Sequence, residues 1–154
     1  MLDDPVRKII RKSRLLTARP GTRVIAAAGR MAKRNVGAIL VVEGGRLVGI
    51  ITERDIVFRV VARGLDPRAA TIAEVMTPDP ITIHPSRPFG YALVIMHREG
   101  FRHLPVVDGG RPVGIISARS ALDPELEEFA SEKSRREHFA GMAANGERRG
   151  SAQR

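Results

Sequence analysis

The chain contains one unit twice, and this duplication limits its fold more than any other feature of the sequence. A shift of 65 residues aligns residues 15–55 with 80–120 without a gap, and 14 of the 41 aligned positions are identical. The strongest match joins VVEGGRLVGIITER (41–54) to VVDGGRPVGIISAR (106–119). Two copies are too few for a solenoid, which buries its core by stacking many repeats. We therefore expect two similar units that share one core.

The pattern predicts the order strand, helix, strand, strand, helix in each copy. Asn35 and Gly100 follow the two first helices at the same repeat position, where a left-handed residue is expected to end a helix. Gly-Gly pairs at 44–45 and 109–110 predict tight hairpins, because glycine accepts a positive φ. The first helix of copy one has an apolar face formed by Val24, Ala27, Ala28 and Met31.

These elements predict an α+β (α/β) fold in which two repeats related by a pseudo-twofold axis pack sheet to sheet, since a unit of about 50 residues buries too little apolar surface alone. The second helix of copy one is expected to begin at Thr52. Thr71 and Glu74 have the spacing of a capping box, and Asp4 is the expected N-cap of a helix in the matching N-terminal segment. The predicted domains are an N-terminal basic helix (1–14), repeat one (15–64), a linker with a short helix (65–79), repeat two (80–122), and a C-terminal helix with a disordered tail (123–154).

Composition narrows the class of protein. The chain has no cysteine, so it has no disulfide, thiolate metal site or cysteine nucleophile. Its net charge is +9, and residues 1–122 hold 20 Lys and Arg against 10 Asp and Glu, so the excess lies on the body and not on a tail. The four histidines show no metal-ligand spacing. The longest apolar runs are strand-sized, and the N-terminus has no apolar stretch typical of a secretory signal, so we expect a cytoplasmic protein without a membrane segment.

The repeated sequence, a helix followed by Asn or Gly and then by VV-x-GGR-x-VGII, resembles the CBS-domain pair (Bateman module) over residues 5–122. The resemblance implies a cleft between the repeats that binds an adenosine-containing regulatory ligand: AMP, ADP, ATP or S-adenosylmethionine. It also implies a homodimer, a regulated protein partner of unknown identity, no required metal and no catalysis.

The family signature places Gly49, Thr52 and Asp55 at the start of the second helix. A carboxylate at this position can accept hydrogen bonds from the two hydroxyls of a ribose, as acidic residues do in dinucleotide folds. The same spacing is also an ordinary capping arrangement, with Thr52 as the N-cap and Asp55 favoured by the helix dipole. The two roles are compatible, and the sequence leaves both open.

The resemblance implies that repeat two completes this site. Arg102 is the candidate for holding a phosphate, because a guanidinium binds phosphate with two hydrogen bonds. His103 has either a pH-sensing or a packing role. The full set of predicted ligand-binding residues is Thr52, Asp55, Ile81, Thr82, Ile83, Arg102, His103, Leu104 and Pro105.

The second copy departs from the signature. Ser120 takes the place of Asp55, so a ribose there would lose its charge-assisted partner, typically about 1.5–3 kcal/mol. The positions equivalent to Arg102 and His103 are Gly37 and Ala38, which hold no phosphate. We therefore expect one competent site and one weaker site, formed by Thr17, Gly37, Ala38, Ser117 and Ser120.

The leading hypothesis is a stand-alone ligand-sensing module that changes the activity of a partner. A nucleic-acid-binding protein is the alternative, since the body is basic, although 5 Phe and 1 Tyr leave few rings on which bases could stack. A ligand-free dimerisation module is a third interpretation.

Overall fold

The computed structural model describes residues 2–10 and 15–118, and all structural statements below refer to them. The helices are α1 (Val6–Ile9), α2 (Val24–Arg34), α3 (Glu53–Asp55, continued as a π-helix over Ile56–Val61), α4 (Ile72–Val75) and α5 (Phe89–Glu99). The strands are β1 (Thr17–Ala18), β2 (Ala38–Glu43), β3 (Arg46–Thr52), β4 (Thr77–Pro78), β5 (His103–Asp108) and β6 (Arg111–Ser117). The predicted α+β fold is confirmed. The predicted C-terminal helix and tail lie outside the described residues.

Two sheets carry the two repeats. The first has the order β1-β2-β3-β4, with β1 parallel to β2 and the other pairs antiparallel, and the second is the β5-β6 hairpin. Ile83 forms a parallel bridge to Val106, as Ala18 does to Val41 in repeat one. The opening strands are short: β1 has two residues, and its equivalent in repeat two is the single Ile83 bridge.

The two hairpins have the same irregularity and the same turn. In both hairpins the register shifts between two consecutive valines, Val41 and Val42 in β2 and Val106 and Val107 in β5. The predicted Gly-Gly turns are confirmed, with φ of +55° and +78° in the first hairpin and +56° and +81° in the second. The duplication in sequence is therefore a duplication in backbone geometry.

The helix ends largely follow the sequence. Asn35 (φ 50°) and Gly100 (φ 73°) end α2 and α5 in the left-handed conformation, as predicted. The prediction of Asp4 as an N-cap is wrong, because α1 begins after Pro5 and the Asp4 carboxylate instead accepts a hydrogen bond from Lys8 Nζ at 2.9 Å. The Asp4 carbonyl is also taken up by another element, accepting from the Phe89 amide at 2.8 Å.

Each short helix packs on the repeat that it does not directly precede in the sequence. The Val6 amide of α1 donates to the Arg87 carbonyl before α5, at 2.9 Å. In the same way, the Ile72 amide of α4 donates to the Thr22 carbonyl before α2, at 2.8 Å. The N-terminal segment therefore packs on repeat two, and the linker segment packs on repeat one.

Sequence alternation divides the apolar residues of β2 between two layers. Ile39 and Val41 pack under α2 in the core of repeat one, with Val24, Met31, Ile51 and Ile72. Ala38 and Leu40 point to the other face, where they meet Ile50, Leu47 and Ile115 of β6. The Leu47 amide also donates to the Gly110 carbonyl at 3.0 Å. The two sheets thus face each other, and their edges leave a cleft beside the start of α3.

Candidate functional site

A cleft of about 360 Å³ lies where the two repeats meet. One wall is the end of β3 and the start of α3, a second is β4 and the segment after it, and a third is the approach to β5. The residues that line the cleft are Ile50, Thr52, Glu53, Arg54, Asp55, Thr77, Asp79, Pro80, Ile81, Glu99, Phe101, Arg102, His103 and Pro105.

Thr52 and Asp55 form a capping box at the start of α3. The Asp55 Oδ2 accepts from the Thr52 amide at 2.8 Å and from the Thr52 hydroxyl at 3.0 Å, and the Asp55 amide donates to Thr52 Oγ1 at 3.3 Å. The capping interpretation is therefore confirmed. The other carboxylate oxygen, Oδ1, lies 3.5 Å from Arg59 Nε, a long contact that leaves this oxygen with acceptor capacity.

Arg59 joins two walls of the cleft. Its Nη1 donates to the carbonyls of Val75 and Met76, both at 3.0 Å, at the C-terminal end of α4. The chain then runs directly into Thr77 and the second wall. Because one guanidinium contacts both Asp55 and the end of α4, we expect the position of that wall to depend on Arg59.

The third wall carries a charged rim. Arg102 is largely exposed, and its Nη2 lies 3.9 Å from Glu53 Oε1 across the cleft. His103 is partly buried, and this burial lowers the pKa of its imidazole. The carboxylate of Glu53 acts against the lowering of that pKa, and Arg102 adds to it. The imidazole is therefore neutral near pH 7, since its pKa lies below the ordinary 6.5.

The structure brings six of the nine predicted ligand-binding residues into the cleft: Thr52, Asp55, Ile81, Arg102, His103 and Pro105. Three lie outside the lining. Thr82 is exposed, and Ile83 and Leu104 are buried. Leu104 points into the core because successive side chains on a strand alternate, so the cleft receives His103 and Pro105.

Sequence reasoning missed several charged residues of the lining. Glu53 and Arg54 stand inside the Thr52–Asp55 signature, so their proximity to the site could have been inferred from helix geometry. Asp79 lies in the segment assigned to the linker. It adopts the left-handed backbone conformation (φ 45°), which residues other than glycine rarely take. Glu99 ends α5 and carries no sequence signal for a site.

The residues predicted for the weaker site are only partly described. The Thr17 carbonyl accepts from Arg30 Nη2 at 2.7 Å, and Ala38 is buried in β2. Gly37 lies against Glu53, because its carbonyl accepts from the Glu53 amide at 3.0 Å and a Cβ on it would be 3.2 Å from the Glu53 carboxylate. Ser117 ends β6, and Ser120 lies outside the described residues. The weaker site stays a prediction.

A serine, a histidine and an aspartate meet elsewhere, on the surface of repeat two. His84 Nδ1 lies 2.7 Å from Ser86 Oγ, and His84 Nε2 lies 3.6 Å from Asp108 Oδ1. All three side chains are exposed, and none of them lines the cleft. The Ser86 amide also donates to Nδ1 at 3.2 Å, so the histidine closes the turn that follows the Ile83 bridge.

Within residues 2–10 and 15–118, no group of three or more His, Cys, Asp or Glu side chains could hold a metal ion. Among the same residues, no helix is both long enough and apolar enough to cross a membrane.

A duplicated α+β unit with a ligand-sized cleft between its copies defines a class of paired-repeat modules. The CBS domain model matches residues 6–62 and 72–124, which is more than half of the sequence, and the chain belongs to this family.

Relatives and solved structures agree with this assignment. The chain is 39% identical over 116 residues to the CBS domain-containing protein CBSCBSPB2 of Arabidopsis thaliana, covering 75% of this chain and 22% of the relative. It thus spans about a fifth of that relative's length. Its fold is similar to that of an uncharacterized conserved protein from Pyrococcus horikoshii (TM-score 0.75, 28% identity, 81% of this chain and 94% of that chain). It is also similar to the CBS domain pair of protein MJ0100 in complex with 5′-methylthioadenosine and S-adenosyl-L-methionine (TM-score 0.69, 32% identity, 76% and 95%).

Proposed function

We propose that this chain is a regulatory module that binds an adenosine-containing compound in the cleft between its repeats and modulates a protein partner. The observation that carries the proposal is the position of Asp55, which faces Arg102 and His103 of the other repeat across a cavity of about 360 Å³. That volume lies within the range of about 300–1,000 Å³ typical of small-molecule sites.

In this proposal Asp55 Oδ1 accepts hydrogen bonds from the ribose hydroxyls, while Oδ2 remains in the cap. Apolar residues such as Ile50, Ile81 and Pro105 give the adenine a surface to lie on. Arg102, which is exposed and only 3.9 Å from Glu53, turns to an anionic group of the ligand. The complex of the similar CBS pair of MJ0100 with two adenosine compounds supports this class of ligand.

The proposed role is binding and regulation without catalysis. Ligand occupancy shifts the population between two arrangements of the repeats by no more than the ligand's difference in affinity for them.

We also propose that the chain acts in the cytoplasm and forms a homodimer. Val57, Phe58 and Val61 expose more than half of their side-chain surface on one helix, and a second copy would cover them. Sedimentation equilibrium of the chain and of Val61→Glu tests the dimer, and a monomeric wild-type chain would overturn it.

Calorimetric titration of the full chain with adenosine, AMP, ADP, ATP, 5′-methylthioadenosine and S-adenosylmethionine tests the function. At least one compound is expected to bind to the wild type and to lose its affinity in Asp55→Ala. A ligand present at one hundred times its Kd should also stabilise the fold by about 2.7 kcal/mol. If no compound binds, the proposal is wrong.

The same variant separates the alternative functions. Nucleic-acid binding by the basic body would fall steeply with salt and would not respond to Asp55→Ala. A ligand-free dimerisation module would show dimerisation and no heat of binding with any compound of the panel.

A further inference from the structure

One side of repeat one carries a run of positive charge with no acidic residue in it. Residues 17–42 hold five Lys and Arg and no Asp or Glu, whereas the matching stretch of repeat two, residues 82–107, holds three Arg and one Glu. All five basic side chains are exposed, and none of them lines the cleft. We call them the basic flank: Arg19, Arg23, Arg30, Lys33 and Arg34.

Three of these arginines lie along one side of α2. Arg23, Arg30 and Arg34 have the spacing i, i+7 and i+11, which places them on the same side of a helix over about 16 Å. Arg30 Nη2 donates to the Thr17 carbonyl at 2.7 Å, so this side of α2 faces β1, the edge strand of its sheet. Arg19 directly follows β1 and continues the same basic surface.

The duplication indicates that the fold does not require this charge. At the positions that match the three arginines, α5 has a proline, an isoleucine and a glutamate: Pro88, Ile95 and Glu99. Even so, α5 has the same length as α2 and the same left-handed end. Arg23 is the N-cap residue of α2, where the helix dipole opposes a positive charge. A binding role therefore explains the basic flank better than folding does.

The guanidiniums of the basic flank are oriented but not neutralised. Arg23 Nη1 donates to the Ala69 carbonyl, as Arg30 does to that of Thr17. In the part of the chain that the structure describes, none of the five basic groups forms an ion pair. Glu74 is near enough for Arg23 to contribute to lowering its pKa, but this is the smallest of the causes. Since a guanidinium has five donors, the basic flank keeps donors for an anionic partner.

We propose that the basic flank is a docking surface for the regulated protein partner, which binds it through a helix with carboxylates along one side. This inference rests on the proposed regulatory function. An antiparallel partner helix with Glu at i, i+4 and i+11 would face the three arginines of α2 in turn, and a guanidinium binds a carboxylate with two hydrogen bonds.

The surface beside the basic flank favours a protein over a nucleic acid. Ile25, Gly29 and Ala32 are exposed on the solvent side of α2, and a Cβ on Gly29 would have no atom within 4 Å. A partner helix can approach these small and apolar residues closely and cover Ile25. The phosphates and sugars of a nucleic-acid backbone would pair with the arginines but would offer Ile25 no apolar contact.

A synthetic peptide tests the inference on the full chain. The probe is a fluorescently labelled, Ala-rich helix of about 20 residues, with Glu at i, i+4 and i+11 beside an apolar stripe. Fluorescence anisotropy is expected to show binding that weakens as salt rises from about 50 to about 200 mM. A peptide of the same composition, with its Glu residues spread round the helix, should bind at least about fivefold more weakly.

A triple variant locates the docking surface. Arg30→Gln with Lys33→Gln and Arg34→Gln should weaken binding of the first peptide by about fivefold or more. The helix propensity of Gln is close to that of Arg and Lys, so α2 should stay folded, which circular dichroism checks.

A matched control removes three exposed positive charges from α1 and the two hairpins, with Arg7→Gln, Arg46→Gln and Arg111→Gln. It should leave the affinity for the peptide unchanged within about twofold, because salt screens charges that lie far from the contact. Equal weakening in the two triple variants would show that only the net charge matters and would overturn the assignment to the basic flank.

The remaining outcomes distinguish this inference from the proposed function. If adenosine compounds bind to the chain and the peptide does not, the docking surface is wrong while ligand sensing stands. Tighter binding of a short DNA duplex than of the peptide would overturn the choice of a protein partner. If the peptide binds to the basic flank and no adenosine compound binds, the proposed function fails and the docking surface remains.

Discussion

The Asp55 carboxylate is hydrogen-bonded to Thr52 through only one of its two oxygens. Oδ2 accepts both hydrogen bonds from Thr52, at 2.8 and 3.0 Å, while Oδ1 lies 3.5 Å from Arg59 Nε. Capping therefore uses one oxygen of this side chain, and the proposed ligand binding would use the other. The two roles that the sequence leaves open can be separated by substitution.

We expect Asp55→Asn to keep the cap and to weaken ligand binding. The amide oxygen still accepts from the Thr52 amide, so the free energy of unfolding should change by less than about 0.5 kcal/mol. Loss of the charge should lower affinity for the adenosine ligand by about tenfold or more. Urea unfolding and calorimetric titration measure the two quantities. Equal loss of affinity and stability would contradict a separate binding role.

Glu74→Ala provides a matched control for the Asp55 variants. Glu74 closes a second capping box, in which its Oε2 accepts from the Thr71 amide at 2.6 Å, on α4 and outside the cleft lining. The Thr71 amide lowers the pKa of Glu74, so its stabilisation is present above the ordinary pKa of a glutamate and is lost as the pH falls through the lowered value. The variant should lose stability above that range and keep full ligand affinity.

Arg59 is expected to act as a positioning residue. Arg59→Gln removes the two hydrogen bonds to the carbonyls of Val75 and Met76 and should cost about 1 kcal/mol of unfolding free energy. Since the cleft wall follows directly after Met76, affinity for the adenosine ligand should fall as well. Amide hydrogen exchange at residues 75–81 should increase in the variant. Unchanged exchange there would show that Arg59 does not hold this wall.

Gly49 of the family signature is explained by close packing. A Cβ at this position would overlap the Met76 thioether and lie 3.1 Å from the Thr77 carbonyl oxygen. Gly49→Ala should therefore destabilise the fold by about 1–3 kcal/mol. Gly29→Ala on the exposed face of α2, where no atom lies within 4 Å of the new Cβ, should instead stabilise it by about 0.5–1 kcal/mol. Thermal unfolding of both variants checks the contrast.

His103 should make the fold sensitive to acid. Burial lowers its pKa below the ordinary 6.5, so between the lowered value and 6.5 the unfolded chain binds more protons than the folded chain. Stability is therefore expected to fall as the pH drops below 6.5, and His103→Gln should lessen this loss. Urea unfolding at about pH 7.5 and about pH 5 measures it, with His97→Gln on the exposed face of α5 as the control. Equal acid sensitivity in both variants would overturn the prediction.

The duplication made the fold predictable, because local signals recur at fixed spacing. The left-handed Asn35 and Gly100 and the Gly-Gly turns need only backbone sterics, and all were predicted from the sequence. Asp4 was misassigned because α1 begins one residue later, after Pro5, and the Asp4 carboxylate accepts from Lys8 instead of capping the helix.

The residues of the candidate site were likewise predictable only in part. Thr52 and Asp55 were predicted because they form a local motif, and Arg102 was predicted through the resemblance to the CBS-domain pair. Asp79 and Glu99 come to the cleft only through the path of the linker and the end of α5, which depend on how the two repeats pack. The grouping of these carboxylates in the lining is thus a property of the assembled pair that the sequence of either repeat alone does not suggest.

The two short helices α1 and α4 each pack on the repeat that they do not directly precede in the sequence. Repeat one receives its short helix from the linker, and repeat two receives its own from residues that precede repeat one. Deleting residues 2–10 would therefore remove the short helix that packs on repeat two, the half that lies farther along the chain. What looks like an N-terminal extension is a structural part of the distant half of the protein.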